Sequence, residues 1–316
     1  MLNKFFANKK LIKFLLKLAG SLFFVWWIVF KVDWSEVWLY LQKISWWQVG
    51  LFTVFYLGGM LFSAYKWKFL AKHKNIRLSL LEFFELYFTA TFINNFMPSF
   101  VGGDGFKIYR VGQLSGDYKG ATSGVLLDRL TGLWGAMTLA IIFGGINLFN
   151  ITRYDILVLT EILIVVSLLT GISLFFFLRK RSLEKIFGKS GRMIDVVIKE
   201  IDNYNKNGGK IWKAILLSFG FNFIGLAGAN YILFWAMGIQ IGLLNYLSVI
   251  FLISMVSSIP ITINNIGIKE WAYISFFGLF GLEPSAVISV AILSRIIQMT
   301  LSFLALPIYL TEKKTH

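Results

Sequence analysis

The chain has 316 residues, 57% of them hydrophobic and 15% charged, at a mean hydropathy of +0.70. Soluble domains hold about 45–50% apolar and about 25% charged residues, so a water-soluble globular protein is excluded. The formal charge of +15 comes from lysines and arginines that fall mostly between hydrophobic runs, the positive-inside pattern of a membrane protein and not a nucleic-acid surface. With no cysteine and only His73 and His316 as histidines, thiolate or histidine chemistry at a metal or a catalytic centre is not expected, and neither is a cofactor.

The apolar runs are continuous and not alternating, which predicts spanning helices and not a barrel. Lys4, Lys9, Lys10 and Lys13 precede the first run, Phe14 to Phe30. No small-residue cleavage site follows it, so an uncleaved span with a cytoplasmic N-terminus is expected. After an aromatic-rich connection, a second span is predicted from Trp46 to Tyr65. Lys66, Lys68, Lys72, Lys74 and Arg77 follow with no acid among them, which places that segment in the cytoplasm.

Leu80 to Met97 is apolar yet carries Glu82, Glu85, Asn94 and Asn95, and it stops at Pro98. Gly102, Gly103, Asp104, Lys107 and Arg110 come next. Proline removes a backbone donor and the glycines relax the backbone, so the helix is predicted to break here. Lipid cannot satisfy the freed backbone groups, and such a break lines a cavity. A polar passage to Ser123 leads to apolar runs at 124–149 and 156–178, after which Arg179, Lys180, Arg181 and Lys185 mark the cytoplasm again. Counting sides back from there, the stretch 80–97 enters and leaves on one face, as a re-entrant hairpin. Residues 182–210 read as an amphipathic cytoplasmic helix. Then come a run at 211–237, an apolar stretch at 243–259 ending on Pro260, the segment ITINNIGIKE, and runs at 271–282 and 286–310; Lys313 and Lys314 put the C-terminus inside.

The two breaks resemble each other. MPSFVGGDGFK at 97–107 matches IPITINNIGIKE at 259–270, with Pro260, Asn264, Asn265 and Gly267 in the second copy. Downstream, VLLDRLTGL around Asp128 and Arg129 matches AILSRIIQM around Arg295 and Gln298. Interrupted segments at matching places in two inverted halves point to the binding site of a transporter. Ionisable groups at membrane depth cost several kcal/mol and face a cavity or a partner. Glu270 is the natural partner of an arginine, and Arg129 and Arg295 suit a lipid phosphate, which guanidinium groups meet with paired hydrogen bonds. Packing ion pairs are the competing structural reading. Glu82 and Glu85, one turn apart, are the weak candidate for an enzymatic carboxylate pair, and no phosphate-binding GxxxxGK[ST] loop is present.

PSFVGGDGFKIYRVGQL, LLDRLTGLWG and SIPITINNIGIKEWAYISFFGLFGL with its downstream SRI resemble the lysylphosphatidylglycerol synthase transmembrane-region family, whose members are often described as flippase-like. The likeness runs from about residue 10 to 310. The family's first motif falls on Pro98, Gly103, Asp104 and Lys107, its Asp-Arg on Asp128 and Arg129, and its Pro…Gly-x-x-Glu on Pro260, Gly267 and Glu270; Asn265 stands where many members have Gly. The resemblance implies translocation of a lipid and not lysine transfer, since no stretch here matches the soluble aminoacyl-transferring domain of the fused members.

The expected protein is therefore an all-α polytopic protein of the cell membrane. Hydropathy alone counts about eight spans, which parity resolves into six transmembrane helices and two re-entrant hairpins. It forms a single domain of two inverted halves, 10–178 and 211–310, joined by the linker 179–210. The expected ligands are anionic or polyprenyl-linked membrane lipids, with a second copy or a lipid-synthesising enzyme as protein partner. The alternatives are a membrane-embedded lipid-modifying enzyme of the polyprenyl-dependent glycosyltransferase kind and an accessory subunit of a cell-envelope enzyme.

Overall fold

The computed structural model describes residues 2–97, 101–178, 195, 197–204, 206, 210–259 and 261–313. Pro98, Pro260 and most of the linker expected over 182–210 lie outside the described residues. Among the described residues the regular structure is all helical. Helix α1 is Leu2–Lys31. Asp33 then accepts hydrogen bonds from the backbone N–H groups of Ser35 and Glu36, at 2.8 and 3.3 Å, and so starts a short helix α2, Trp34–Gln42, inside what the sequence suggested was a plain connection. Those bonds, the one from Ser35 first, hold the Asp33 carboxyl below its ordinary pKa.

Helix α3, Trp46–Lys72, runs past the expected end at Tyr65 because Trp67, Leu70 and Ala71 are buried on its last turns. Lys66 and Lys68 are thus helical residues and not part of a loop. Helix α4, Leu80–Phe96, starts on a capping box: the Ser79 N–H donates to the Glu82 carboxylate at 2.6 Å, and the Glu82 N–H donates back to the Ser79 hydroxyl at 3.2 Å. Helix α5 is Val101–Ser115. Asp117 caps α6, Tyr118–Ile146, through the Gly120 N–H, so Asp128 and Arg129 lie well inside this helix and not at its start.

A single turn α7, Leu148–Ile151, leads to α8, Asp155–Leu178. Helices α9, Lys210–Gly220, and α10, Ala229–Ala236, form one rod through a π-helical stretch, Phe221–Gly228. Helix α11, Leu243–Ser257, precedes the second break, which holds a short turn at Ile263–Asn265. Helices α12, Ile268–Gly278, α13, Pro284–Ser302, and α14, Leu306–Lys313, complete the described chain.

Among the described residues, 6 helical segments are long and apolar enough to cross a membrane: Phe14–Lys31, Trp46–Lys72, Tyr118–Ile146, Asp155–Leu178, Ile211–Ala236 and Pro284–Leu310. They coincide with the six spans expected from the sequence. The helices flanking the two breaks, α4, α5, α11 and α12, are not among them. Large apolar side chains stand exposed along the spans, which suits a surface wetted by lipid and not by water.

The chain divides into two compact units, residues 1–56, 88–104 and 227–316 in the first and 57–87 and 105–226 in the second. In the first, α11 packs on α12, α12 on α13, and α13 on α2. The Tyr246 ring stacks on Phe277 with centroids 5.9 Å apart, which sets α12 running back along α11. In the second unit, α9 packs on α6, and α6 on α8. Its core is built around Trp67, edge-on to Phe83 at 4.8 Å, with Leu86, Val111 and Val125. The π-helical stretch meets α3 at Gly59 and Gly225, where a Cβ on either would run into the backbone of the other.

Candidate functional site

Helix α5 returns beside α4 because its first turn is tied to α4's last. Within the first unit, the Gly103 N–H donates to the Asn94 carboxamide oxygen at 2.8 Å, and a Cβ at Gly103 would strike the Ala90 carbonyl. Asn95 donates to the Ser302 hydroxyl at 2.6 Å, and Gly102 lies against Met97. Asp104 is half-buried in the first turn of α5, where a negative charge suits the helix dipole.

One turn further, within the second unit, three charged groups converge. The Lys66 ammonium lies 3.1 Å from one Asp128 carboxylate oxygen and donates to the Asp128 backbone carbonyl at 2.8 Å. Lys107 approaches the other carboxylate oxygen at 3.7 Å. Its ammonium also sits over the Tyr87 ring, 3.4 Å from the centroid, and 4.9 Å from that of Trp67. All three charged side chains are at most 5% exposed. Burial at that level is tolerable only because the charges are paired and the ring faces add cation–π attraction. Arg110 bonds to Gln113 at 2.8 Å on α5, and Arg129 is exposed on α6. Asp128 therefore serves lysines from α3 and α5. Lys66 was missed because it follows an apolar run like a flanking lysine; the signal was the apolar pattern resuming at Trp67, Leu70 and Ala71.

The second break is wound by its asparagines. Asn264 and Asn265 take φ of 47° and 55°, the left-handed region that asparagine reaches at less cost than other side-chain-bearing residues. Gly267 takes φ of 90° and its missing Cβ leaves space for Phe24 and the Ser21 backbone. Glu270 reaches back to accept from the Gly267 N–H at 2.8 Å. Its other oxygen accepts from Arg295, with the guanidinium nitrogens at 2.8 and 2.7 Å. The same guanidinium donates to the backbone carbonyls of Asn264 at 3.2 Å and Asn265 at 3.1 Å. Arg295 thus pins the left-handed turn to α13 while 21% of its side chain stays exposed. Lys269 donates to the Ser294 hydroxyl at 3.1 Å, and Gln298 is half-buried one turn beyond Arg295. The Thr262 hydroxyl and the Asn265 carboxamide oxygen are buried at the same break without a hydrogen-bond partner among the described residues.

Laid over one another in the alignment of the two motifs, Lys107 falls on Lys269 and Asp128 on Ser294. The structure makes the matching contact at both places, Lys107 to Asp128 and Lys269 to Ser294. Glu82, the candidate for a carboxylate pair with Glu85, is engaged in the cap of α4. The bond from the Ser79 N–H, and then that from its hydroxyl, hold the Glu82 carboxyl below its ordinary pKa. Among the described residues no group of three or more metal-ligating side chains converges.

Comparison with known proteins agrees with the motif reading. Residues 14–305 match the family described as lysylphosphatidylglycerol synthase TM region. A UPF0104 membrane protein of Methanocaldococcus jannaschii is 26% identical over 262 residues, covering 75% of this chain and 76% of its own length. No solved structure matches the chain. With the match spanning nearly every described helix, the chain is a multi-pass membrane protein that belongs to the lysylphosphatidylglycerol synthase transmembrane-region family.

Proposed function

We propose that the protein moves a phosphate-bearing lipid headgroup between the leaflets of the cell membrane, and that the second break, residues 262–267 with Glu270 and Arg295, receives it. The observation that carries this reading is the hydrogen-bonding capacity left at that break. Arg295 spends its Nε–H, both Nη2 protons and one Nη1 proton on Glu270 and the two asparagine carbonyls. A guanidinium has five donors, so one Nη1 proton remains for a ligand. The unpartnered Thr262 hydroxyl can donate to a phosphate oxygen, and the unpartnered Asn265 oxygen can accept from a hydroxyl or ammonium on the headgroup. Such groups at membrane depth are costly unless a ligand or water meets them.

In this reading both breaks are re-entrant hairpins of two inverted halves, with both termini in the cytoplasm. The return of α5 along α4, the stacking of Tyr246 on Phe277 and the matched lysine contacts support it. Arg110, half-buried on α5, attracts anionic headgroups on the cytoplasmic side, while Lys107 is held inside by Asp128.

The test is lipid redistribution in vesicles holding the purified protein and a fluorescent anionic phospholipid. The wild-type protein exposes inner-leaflet label to an outside quencher. Arg295→Gln removes the charge, and Thr262→Val keeps the side-chain shape while removing the hydroxyl. Each is expected to slow redistribution about tenfold or more, the effect of losing about 1.4 kcal/mol of headgroup binding. Wild-type rates in Thr262→Val and in a folded Arg295→Gln would remove this site from the translocation path.

A further inference from the structure

Helix α8 is the most apolar of the spans, and apart from Asp155 at its first position it carries one ionisable residue, Glu161. Glu161 is six positions on from Asp155 and so lies about 9 Å along the helix axis from its start. Its side chain turns away from lipid toward α6. There it occupies the space left by Gly144, where a Cβ would strike the Glu161 carboxylate. One carboxylate oxygen is fully buried and has no hydrogen-bond partner. Around it is a cavity of about 280 Å³ whose walls include Ile141, Ile151, Val158 and Val165. None of the other lining residues, on α6, α7 or α8, is ionisable. Arg153 and Asp155, at the α7–α8 connection, are outside the lining. A glycine thus makes room for a lone carboxyl in an apolar cavity between two spans, with no ion pair among the described residues to hold it there.

A carboxyl in such surroundings has one inexpensive chemical role, which is to take up and give back a proton. We propose that Glu161 is an intramembrane proton-binding site, and that its uptake and release of a proton couples lipid movement to a transmembrane proton gradient. The coupling rests on the transport reading above; the proton site does not. The Glu161 carboxylate combines with a proton from the aqueous phase, and the neutral acid sits in the cavity until the proton leaves. Gly144 is the positioning residue, since any side chain there displaces the carboxyl.

The experiment has two arms on the full-length protein in vesicles. The first uses dicyclohexylcarbodiimide, an apolar reagent to which a protonated carboxyl adds, the adduct rearranging to a stable N-acylurea that is mapped by peptide mass spectrometry. An adduct on Glu161 is expected that diminishes as the buffer is made alkaline, is absent in Glu161→Gln and falls sharply in Gly144→Val. No adduct on Glu161 at any pH overturns the proton site. The second arm imposes a pH gradient during redistribution of an anionic phospholipid. One pH unit can bias the lipid distribution by up to about tenfold per coupled proton, and Glu161→Gln is expected to abolish that bias. If the wild-type protein moves no lipid at all, the transport reading fails and the labelling still decides the proton site. If it moves lipid without any response to the gradient, or if Glu161→Gln keeps the bias, the coupling is overturned.

Discussion

Asp128 holds two lysines from different helices and its side chain is 2% exposed, so its charge ties α3, α5 and α6 together within the second unit. Asp128→Asn leaves Lys66 and Lys107 buried without their carboxylate. Removing one member of a buried pair costs about 3–5 kcal/mol, and a marked drop in melting temperature in detergent is expected. Arg129→Gln, on the neighbouring exposed residue, is expected to shift it little. Equal shifts for the two would refute the assignment. The sequence made the Glu270–Arg295 pair readable, since a Gly-x-x-Glu at a helix start and an arginine inside an apolar run each need a partner. It did not make Lys66 readable, because a lysine that closes an apolar run looks the same whether the helix stops or continues. Thr262 was hidden for another reason: its hydroxyl matters only through burial, which side-chain type does not report.

At the scale of elements, the second break depends on a backbone conformation that few residues adopt. Asn264→Gly is expected to keep the turn and the Arg295 contacts, whereas Asn264→Val is expected to destabilise the protein by about 1–2 kcal/mol, the cost of a side-chain-bearing residue in left-handed backbone. Thermal unfolding of the two variants distinguishes them, and equal stability would show that the turn is not held in this form. The cap of α4 makes a smaller contribution. Ser79→Ala is expected to cost about 1 kcal/mol. Because the Glu82 carboxyl is held below its ordinary pKa, its share of the cap is present above the usual carboxylate range and lost as pH falls through the lowered value. Both breaks were legible from Pro, Gly and Asn, which carry their backbone preferences with them. The limits of α3, α5 and α6 were not, because polar residues such as Lys66 and Asp128 are helical once a partner across the fold meets their charge.

For the whole molecule, the absence of cysteine makes membrane topology directly measurable with single introduced thiols. Lys72 and Lys119 are exposed on either side of the α4–α5 pair, and Gln240 and Glu283 on either side of the α11–α12 pair. Lys72→Cys and Lys119→Cys are expected to react with an impermeant maleimide from the cytoplasmic face, and Gln240→Cys and Glu283→Cys from the opposite face. Labelling of one pair from two different faces would turn that hairpin into a span. Hydropathy alone marked about eight apolar runs, and loop charge was needed to single out the six that are long and apolar enough to cross a membrane. The division into compact units, which cuts through α3, was not legible there, because hydropathy records depth and carries no information on which helices touch.

The meeting of Gly59 with Gly225 has a mechanical consequence. Helices usually lock at set crossing angles because ridges of side chains lie in grooves. Here backbone rests on backbone at the glycines, while Phe62 of α3 fills the space over Gly220 and Ile224 of the π-helical stretch lies against Gly58. Such a crossing sets the two helices at their closest approach, and a side chain at either Gly59 or Gly225 would push them apart.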